Sequence, residues 1–443
     1  MKNNALKLGA IAAAAAITAS ITAPIAGAGE ETIKGAYVPA SPGCDAVEVI
    51  TVAGTGESNS NDDPQFIYGL KQGRNYTADI ALERDEVGAW QTPYSATVGI
   101  ANSINGNKGN LHVPYGESRL EGVQTTERHI ADVKASCPDT KFVVTGYSQG
   151  ASVAGDVAAD MIAGKIPGVD ADDLFAAYLL SDPNRAPATD EKTRTALGVP
   201  AHVGANGETI VDLNQGAPLG TEGLAGPRAA GAFAGTNGRV MSFCHPNDIA
   251  CSTERDGILQ RVGVAMNEIE HHDQHYVYAG VEGLQDVDLV KTFGVRLLPI
   301  FNAVYKGDPE RTHKLVNEVA SHPLNNMTKS QREAMRALAE ELAIVAAAVR
   351  DFDGAVAPFE GIRLDNSVPA VVTMLARTVT FWDPQQKANL IDYITQMMPY
   401  HLSYFTKNDM AQTTYGPWTA GGMTVDEYIY QDLKARLNEA GVK

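Results

Sequence analysis

The sequence predicts an α/β fold: a parallel sheet with helices on both faces. Three observations carry this. Apolar, β-forming runs recur at VEVITVAG (47–54), KFVVTG (141–146), LFAAYLLSD (174–182) and GRVMSF (238–243). Helical segments stand between them, at 118–136 and at 151–162, as parallel strands require. The second run ends on Gly146 and passes within four residues into the small-residue segment ASVAGDVAADM, a strand-to-helix turn.

Taken in order, the chain opens with Lys2 and Lys7, an apolar Ala-rich stretch from Leu8 to Ile17, and Ala26-Gly27-Ala28. A positive start, an apolar middle and an A-x-A site read as a secretory signal peptide over 1–28, with export of the remainder. Elsewhere no apolar run approaches the roughly 20 residues of a membrane span. LAIVAAAV (342–349) lies between Glu341 and Arg350 and has the length of a core helix. VEVITVAG reads as a buried strand running into the turn GTGESNSN. The helix over 118–136 ends near Cys137-Pro138. The Pro/Gly/Ala-rich passage 183–237 reads as irregular surface loop.

After about residue 285 helical patterns dominate. Ser330-x-x-Glu333 and Thr424-x-x-Glu427 are capping boxes, and Asp383-Pro384 supplies an N-cap with proline at the first helical position. The expected organisation is an α/β body over 29–285 and a helical insertion or lid over 286–400. A return segment over 401–443 then carries the terminal helix. The 443 residues are 44% hydrophobic and 20% charged, a globular composition, with a formal charge of -18. No Lys/Arg-rich run is present, which argues against nucleic acid as a partner.

Four cysteines in an exported chain imply two disulfides. Three pairings exist. Cys244 and Cys251 stand at the two ends of a short loop, which leaves Cys44 with Cys137. A four-cysteine zinc site is the alternative, without any C-x-x-C spacing to support it.

The chemistry centres on Gly146-Tyr147-Ser148-Gln149-Gly150. A G-x-S-x-G between strand and helix lifts the serine above the sheet edge on a turn too tight for a Cβ two residues either side. The start of the helix then aims backbone N–H groups at an oxyanion formed there. Ser148 is the expected nucleophile. A second donor is expected from the loop after the first strand, Ala53-Gly54-Thr55-Gly56-Glu57, where Thr55 offers hydroxyl and amide. Gly54 and Gly56 lack the third glycine of a dinucleotide site.

These residues resemble the cutinase family of secreted serine esterases. The resemblance rests on Gly54-Thr55-Gly56-Glu57, on Cys137-Pro138 leading to Gly-Tyr-Ser-Gln-Gly-Ala, and on Cys244-His-Pro-Asn-Asp248-Ile-Ala-Cys251. It covers about 40–255 and a short C-terminal piece, and it implies a cutinase-like α/β-hydrolase. It also implies Ser148 as nucleophile, Asp248 as triad acid, and Thr55 with the Gln149 amide as oxyanion hole. The same resemblance supports the pairs Cys44–Cys137 and Cys244–Cys251. The long, helix-rich form looks most like cutinase-like enzymes of mycolic-acid-bearing bacteria, which act on envelope lipids. A lipid ester is therefore the expected substrate, cell-envelope lipids an expected contact, and no metal or organic cofactor is needed.

Two assignments have rivals. Asp248 follows the fourth predicted strand in the cross-linked loop, where a buried carboxylate can fix a histidine tautomer. Asp182, at the end of the third, is the other acid in permitted chain order and reads as a cap or turn residue. For the base, His401-Leu402-Ser403-Tyr404 matches the family's H-L-[AS]-Y and precedes Gly416-Pro417-Trp418 and the capped terminal helix. His275, in His271-His272-Asp273-Gln274-His275, competes. As a zinc site the clustered histidines lack a fourth ligand. Asn75-Tyr-Thr and Asn326-Met-Thr match glycosylation acceptors. Acyl transfer to a sugar or lipid hydroxyl would use the same triad. A non-catalytic envelope-binding protein is the alternative from another class.

Overall fold

In the computed structural model of the chain, eight strands form one sheet among the described residues. They are β1 (Val47–Val52), β2 (Val87–Gln91), β3 (Lys141–Tyr147), β4 (Leu174–Leu180), β5 (Ala188–Arg194), β6 (Pro200–Gly204), β7 (Thr209–Val211) and β8 (Val240–Phe243). Their order is β2-β1-β3-β4-β8-β7-β6-β5. The pairs from β2 through β7 are parallel. β6 and β5 close that edge antiparallel. The residues described are 35–69, 74–97, 113, 115–214, 216–246, 248, 250–255 and 418–443, with scattered helical positions between 260 and 318. Most belong to one compact unit, Pro24–Val98, Glu117–Arg255 and Met410–Lys443. The other unit comprises Met1–Ala23, Gly99–Gly116 and Asp256–Asp409. The expected boundaries at 28, 285 and 400 lie outside the described residues.

The central strands are apolar on both faces because both faces are covered. Val47, Val49, Val143, Ala176, Tyr178, Leu180 and Met241 point to one side. There they meet Tyr76 and Ile80 of α1 (Tyr76–Glu83) and Tyr428, Ile429, Leu433 and Leu437 of α4 (Val425–Ala440). Ile50, Val52, Phe142, Val144, Ala177, Leu179 and Val240 point to the other. They pack on Val123 and Ile130 of α2 (Tyr115–Ser136) and on Ala151, Val153, Ala154, Val157, Ala158 and Met161 of α3 (Gln149–Ile162). Each fully buried Val, Leu or Ile in these layers contributes about 1.5–3 kcal/mol.

Passage 183–237 departs from the expected irregular loop, since it holds β5, β6 and β7. The reason is local. β5 is the outermost strand, and its ATDEKTR is charged and mostly exposed, which protects an edge from pairing but erases the apolar alternation that marks a strand. β7 is only three residues long. β2 and α1 also lack a clear signature in the sequence. Gly88 interrupts β2, and a Cβ there would run into the Asp45 carboxylate. Asn75, one of the two glycosylation matches, is the N-cap of α1. Its side chain accepts the Ala78 N–H at 3.2 Å and donates to Ile67 O at 3.0 Å. Asn326 lies outside the described residues.

Thr424 caps α4 as expected, accepting the Glu427 N–H at 3.3 Å. Glu427 does not return the bond. Its carboxylate goes to Arg74 at 3.2 Å and Gln431 at 2.6 Å, so the box becomes a tie between α4 and the segment before α1. The helices opening at Ser330 and Asp383 lie outside the described residues.

One buried acid makes the body's stability pH-dependent. Glu208, in the β6–β7 turn, accepts the Ala186 N–H at 3.2 Å. Burial, with Asp182 adding repulsion, pushes its pKa up to about 7. The folded state therefore binds this proton more tightly than the unfolded chain. Its contribution is complete below the unfolded value and is lost as pH rises through about 7, on the order of 3 kcal/mol in all. The stability difference between E208Q and wild type, from urea unfolding at pH 5 and pH 8, is expected to shift in favour of E208Q at the higher pH. A pH-independent difference would refute the linkage.

Candidate active site

The G-x-S-x-G forms the sharp turn its pattern implies. β3 ends at Tyr147, α3 begins at Gln149, and Ser148 between them is held at φ 54°, ψ -121°. An L-residue there is strained, as nucleophile elbows are. Both glycines are obligatory by contact. A Cβ on Gly146 would overlap the Gly150 carbonyl, and one on Gly150 would overlap the carbonyls of Val52 and Ala53. That second approach seats the start of α3 directly on the end of β1, where the Gly54–Glu57 loop begins.

The loop is fixed by its own bonds. Gly56, at φ 77°, donates its N–H to Ala96 O at 2.6 Å. Glu57 Oε2 accepts the Gly54 N–H at 3.0 Å, and the Glu57 N–H returns to Gly54 O at 3.1 Å. Thr55 thus faces Gln149. The Gln149 amide nitrogen donates to Thr97 O at 3.0 Å, so its oxygen turns toward Thr55 and accepts the Thr55 hydroxyl at 3.1 Å. A hydroxyl has one proton. In this arrangement the Thr55 hydroxyl could donate to another acceptor only after that bond to Gln149 breaks, whereas its backbone N–H would not need it to.

Asp248 is fully buried in the loop after β8. Cys244 and Cys251 close that loop as a disulfide with Cα atoms 5.9 Å apart, and Cys44 is joined to Cys137. Asp248 Oδ1 accepts the Ala250 N–H at 2.9 Å, and Oδ2 accepts the Ser181 hydroxyl. Strand register sets the spacing. Tyr147 pairs with Leu180, and Leu180 with Phe243, so the ends of β3, β4 and β8 stand in one row. The Ser148 elbow and the Asp248 loop both leave from that carboxyl rim, where open α/β sheets form their crevice. Tyr147, the last residue of β3, is buried. Burial first, then the Glu57 and Asp248 carboxylates, push its pKa well up.

Asp182 is engaged elsewhere. Its Oδ2 meets Arg228 Nη1 at 2.6 Å, and its Oδ1 accepts the Asn184 N–H at 2.9 Å. Arg228 also reaches Asp156 of α3 at 2.7 Å and Ser152 O at 2.7 Å. His401 and His275 lie outside the described residues.

Three residues escaped the sequence reading. Ser181 bonds Asp248. Arg185, fully buried, donates from Nε to Cys251 O at 2.7 Å and from Nη2 to Thr221 O at 2.7 Å, bracing the acid loop. His245 stacks on Trp418 with centroids 4.4 Å apart, tying the acid loop to the C-terminal segment, and burial lowers its pKa. Only His245 carried a signal, as the residue after Cys244.

A cutinase family model matches residues 70–267. The carboxylesterase Culp6 homolog of Corynebacterium glutamicum is 35% identical over 223 residues, 47% of this chain. The chain spans 65% of that relative's length. Among solved structures, the catalytic core domain of acetyl xylan esterase from Trichoderma reesei is 19% identical with a TM-score of 0.32, covering 50% of this chain and 93% of that one. Lysin B from Mycobacteriophage D29 is 17% identical with a TM-score of 0.33, covering 74% and 99%.

Proposed function

We propose, from the premise that the chain carries a cutinase-family domain, that it hydrolyses carboxylic esters of lipids through an acyl-enzyme on Ser148. The observation that carries this is the elbow. A serine is held at φ 54° between two glycines that cannot bear a Cβ, on the same sheet rim as a buried aspartate in a disulfide-closed loop. Strain of this kind is retained where the surrounding structure over-determines it, and functional sites are where it concentrates.

Ser148 Oγ attacks the ester carbonyl carbon and gives its proton to the histidine. The tetrahedral oxyanion rests on the N–H groups of Thr55 and Gln149. The C–O bond to the alcohol breaks, and the imidazolium returns the proton to that alcohol. Water then attacks the acyl-enzyme by the same route and releases the acid. Asp248 keeps the histidine in the required tautomer. His401 is the base in this reading. Cell-envelope lipids are the substrates, reached after export and removal of residues 1–28.

A fluorophosphonate probe tests the reading. Ser148 Oγ should displace fluoride from phosphorus, leaving a modified peptide spanning Ser148. Release of p-nitrophenol from short-chain esters should run in parallel. An unlabelled, inactive wild type would sink the proposal. The base is decided by two variants. H401A is expected to match S148A on a short-chain ester, and H275A to keep most activity. The reverse pattern would move the base to His275.

A further inference from the structure

We infer that Ser181 is a positioning residue for the catalytic acid: from the end of β4 its hydroxyl holds the Asp248 carboxylate in the orientation the histidine needs. The inference rests on the esterase reading above.

Three observations carry it. The first is place. Leu180 pairs with Tyr147 on one side and with Phe243 on the other, so Ser181 leaves the sheet between the nucleophile elbow and the acid loop. The backbone stitches the same row. The Ser148 N–H donates to Leu180 O at 2.9 Å, and the Ser181 N–H to Phe243 O at 2.9 Å. A small displacement of Ser181 therefore changes the spacing of nucleophile and acid together.

The second is conformation. Among the described residues four non-glycine residues have positive φ: Ala96, Ser148, Ser181 and Asn237. Asparagine tolerates that region, but serine does not readily. Ser148 is the elbow itself, and Ala96 supplies the carbonyl that holds Gly56 in the oxyanion loop. Ser181, at φ 55° and fully buried, is the member of this set with no backbone reason to be serine. Glycine would occupy the turn without strain. What glycine lacks is the hydroxyl.

The third is the bond. The Ser181 hydroxyl donates to Asp248 Oδ2, while the Ala250 N–H holds Oδ1 at 2.9 Å. Donors on both oxygens restrain the rotation of the carboxyl group about its last torsion, which is otherwise soft. Removing the Ser181 donor weakens that restraint on the Oδ2 side. The orientation on which the histidine depends is then less tightly set.

The test uses S181A and S181G in the full chain, with S148A as the blank, on p-nitrophenyl butyrate. Both variants are expected to lose about tenfold in kcat with KM within twofold of wild type. Fluorophosphonate labelling should slow by the same factor. S181G should unfold at or above the temperature of S181A, because glycine relieves the positive φ. It should nonetheless be as slow. A residue that only shapes the turn would show the opposite, with kcat restored in S181G. Such recovery would overturn the inference, as would a loss in kcat below threefold or a loss residing in KM. Should S181A fail to fold, S181G decides alone. A wild type that neither hydrolyses nor labels would sink the esterase reading and this inference with it. An active wild type with unaltered S181 variants would sink the inference alone.

Discussion

Replacing Ser148 with alanine is expected to lower ester turnover by several orders of magnitude while leaving the fold intact. The first half follows from chemistry. Without an Oγ no acyl-enzyme forms, and nucleophile deletions in triads cost about a million-fold in kcat. The second half follows from position. Ser148 forms no side-chain cap on α3, and alanine bears the same Cβ, so the strain at φ 54° is unchanged. Glycine at this position separates the two effects. S148G should be equally inactive but more stable, by about 1 kcal/mol, because it removes the penalty an L-residue carries at positive φ. Stopped assays on p-nitrophenyl butyrate and thermal unfolding of the three proteins measure both. Retention of more than about a tenth of wild-type turnover in S148A, only ~1.4 kcal/mol of barrier, would remove Ser148 from the reaction.

The elbow was legible because it is punctuated locally. Two glycines, a strand before and a helix after all lie within Lys141–Ile162. The disulfide pairing was legible for the same reason, since Cys244 and Cys251 are separated by 7 residues. The terminal helix announced itself through Thr424. What stayed hidden depends on distance along the chain. Ser181 and Asp248 are 67 residues apart, and nothing in LLSDP marks a serine at positive φ. Arg185 reads as an ordinary loop arginine until its guanidinium is seen buried among the carbonyls of Cys251, Ala186 and Thr221. The edge strand β5 was hidden differently. An edge strand needs no apolar alternation, and its charges serve solubility, so periodicity carries no information there.

The two aspartates that compete in the sequence are expected to separate into two kinds of loss. Asp248→Asn keeps size and shape. The Ala250 N–H on Oδ1 requires an acceptor, so the new amide should keep its oxygen there and place its NH2 on the Oδ2 side. The Ser181 hydroxyl can rotate and accept, so folding should change by only about 1 kcal/mol. The histidine cannot adapt as cheaply. In the proposed triad it would face a donor and have to present the wrong tautomer, the change that lowers kcat about ten-thousand-fold in serine proteases. Asp182→Asn should do the reverse. Asp182 is buried with Arg228, whose Nη1 lies 2.6 Å from Oδ2, and Asp156 is then the one carboxylate left of the two that Arg228 bridges. Leaving a buried guanidinium under-compensated costs about 3–5 kcal/mol. The Ser181 and Ala250 bonds to Asp248 do not pass through the Asp182 carboxylate, so kcat per folded molecule should stay within a few-fold of wild type. Urea unfolding gives the stability, and active-site titration with a fluorophosphonate normalises kcat to folded enzyme. Full stability with lost turnover in D182N, alongside an active D248N, would transfer the acid to Asp182 and leave the cross-linked loop a structural feature.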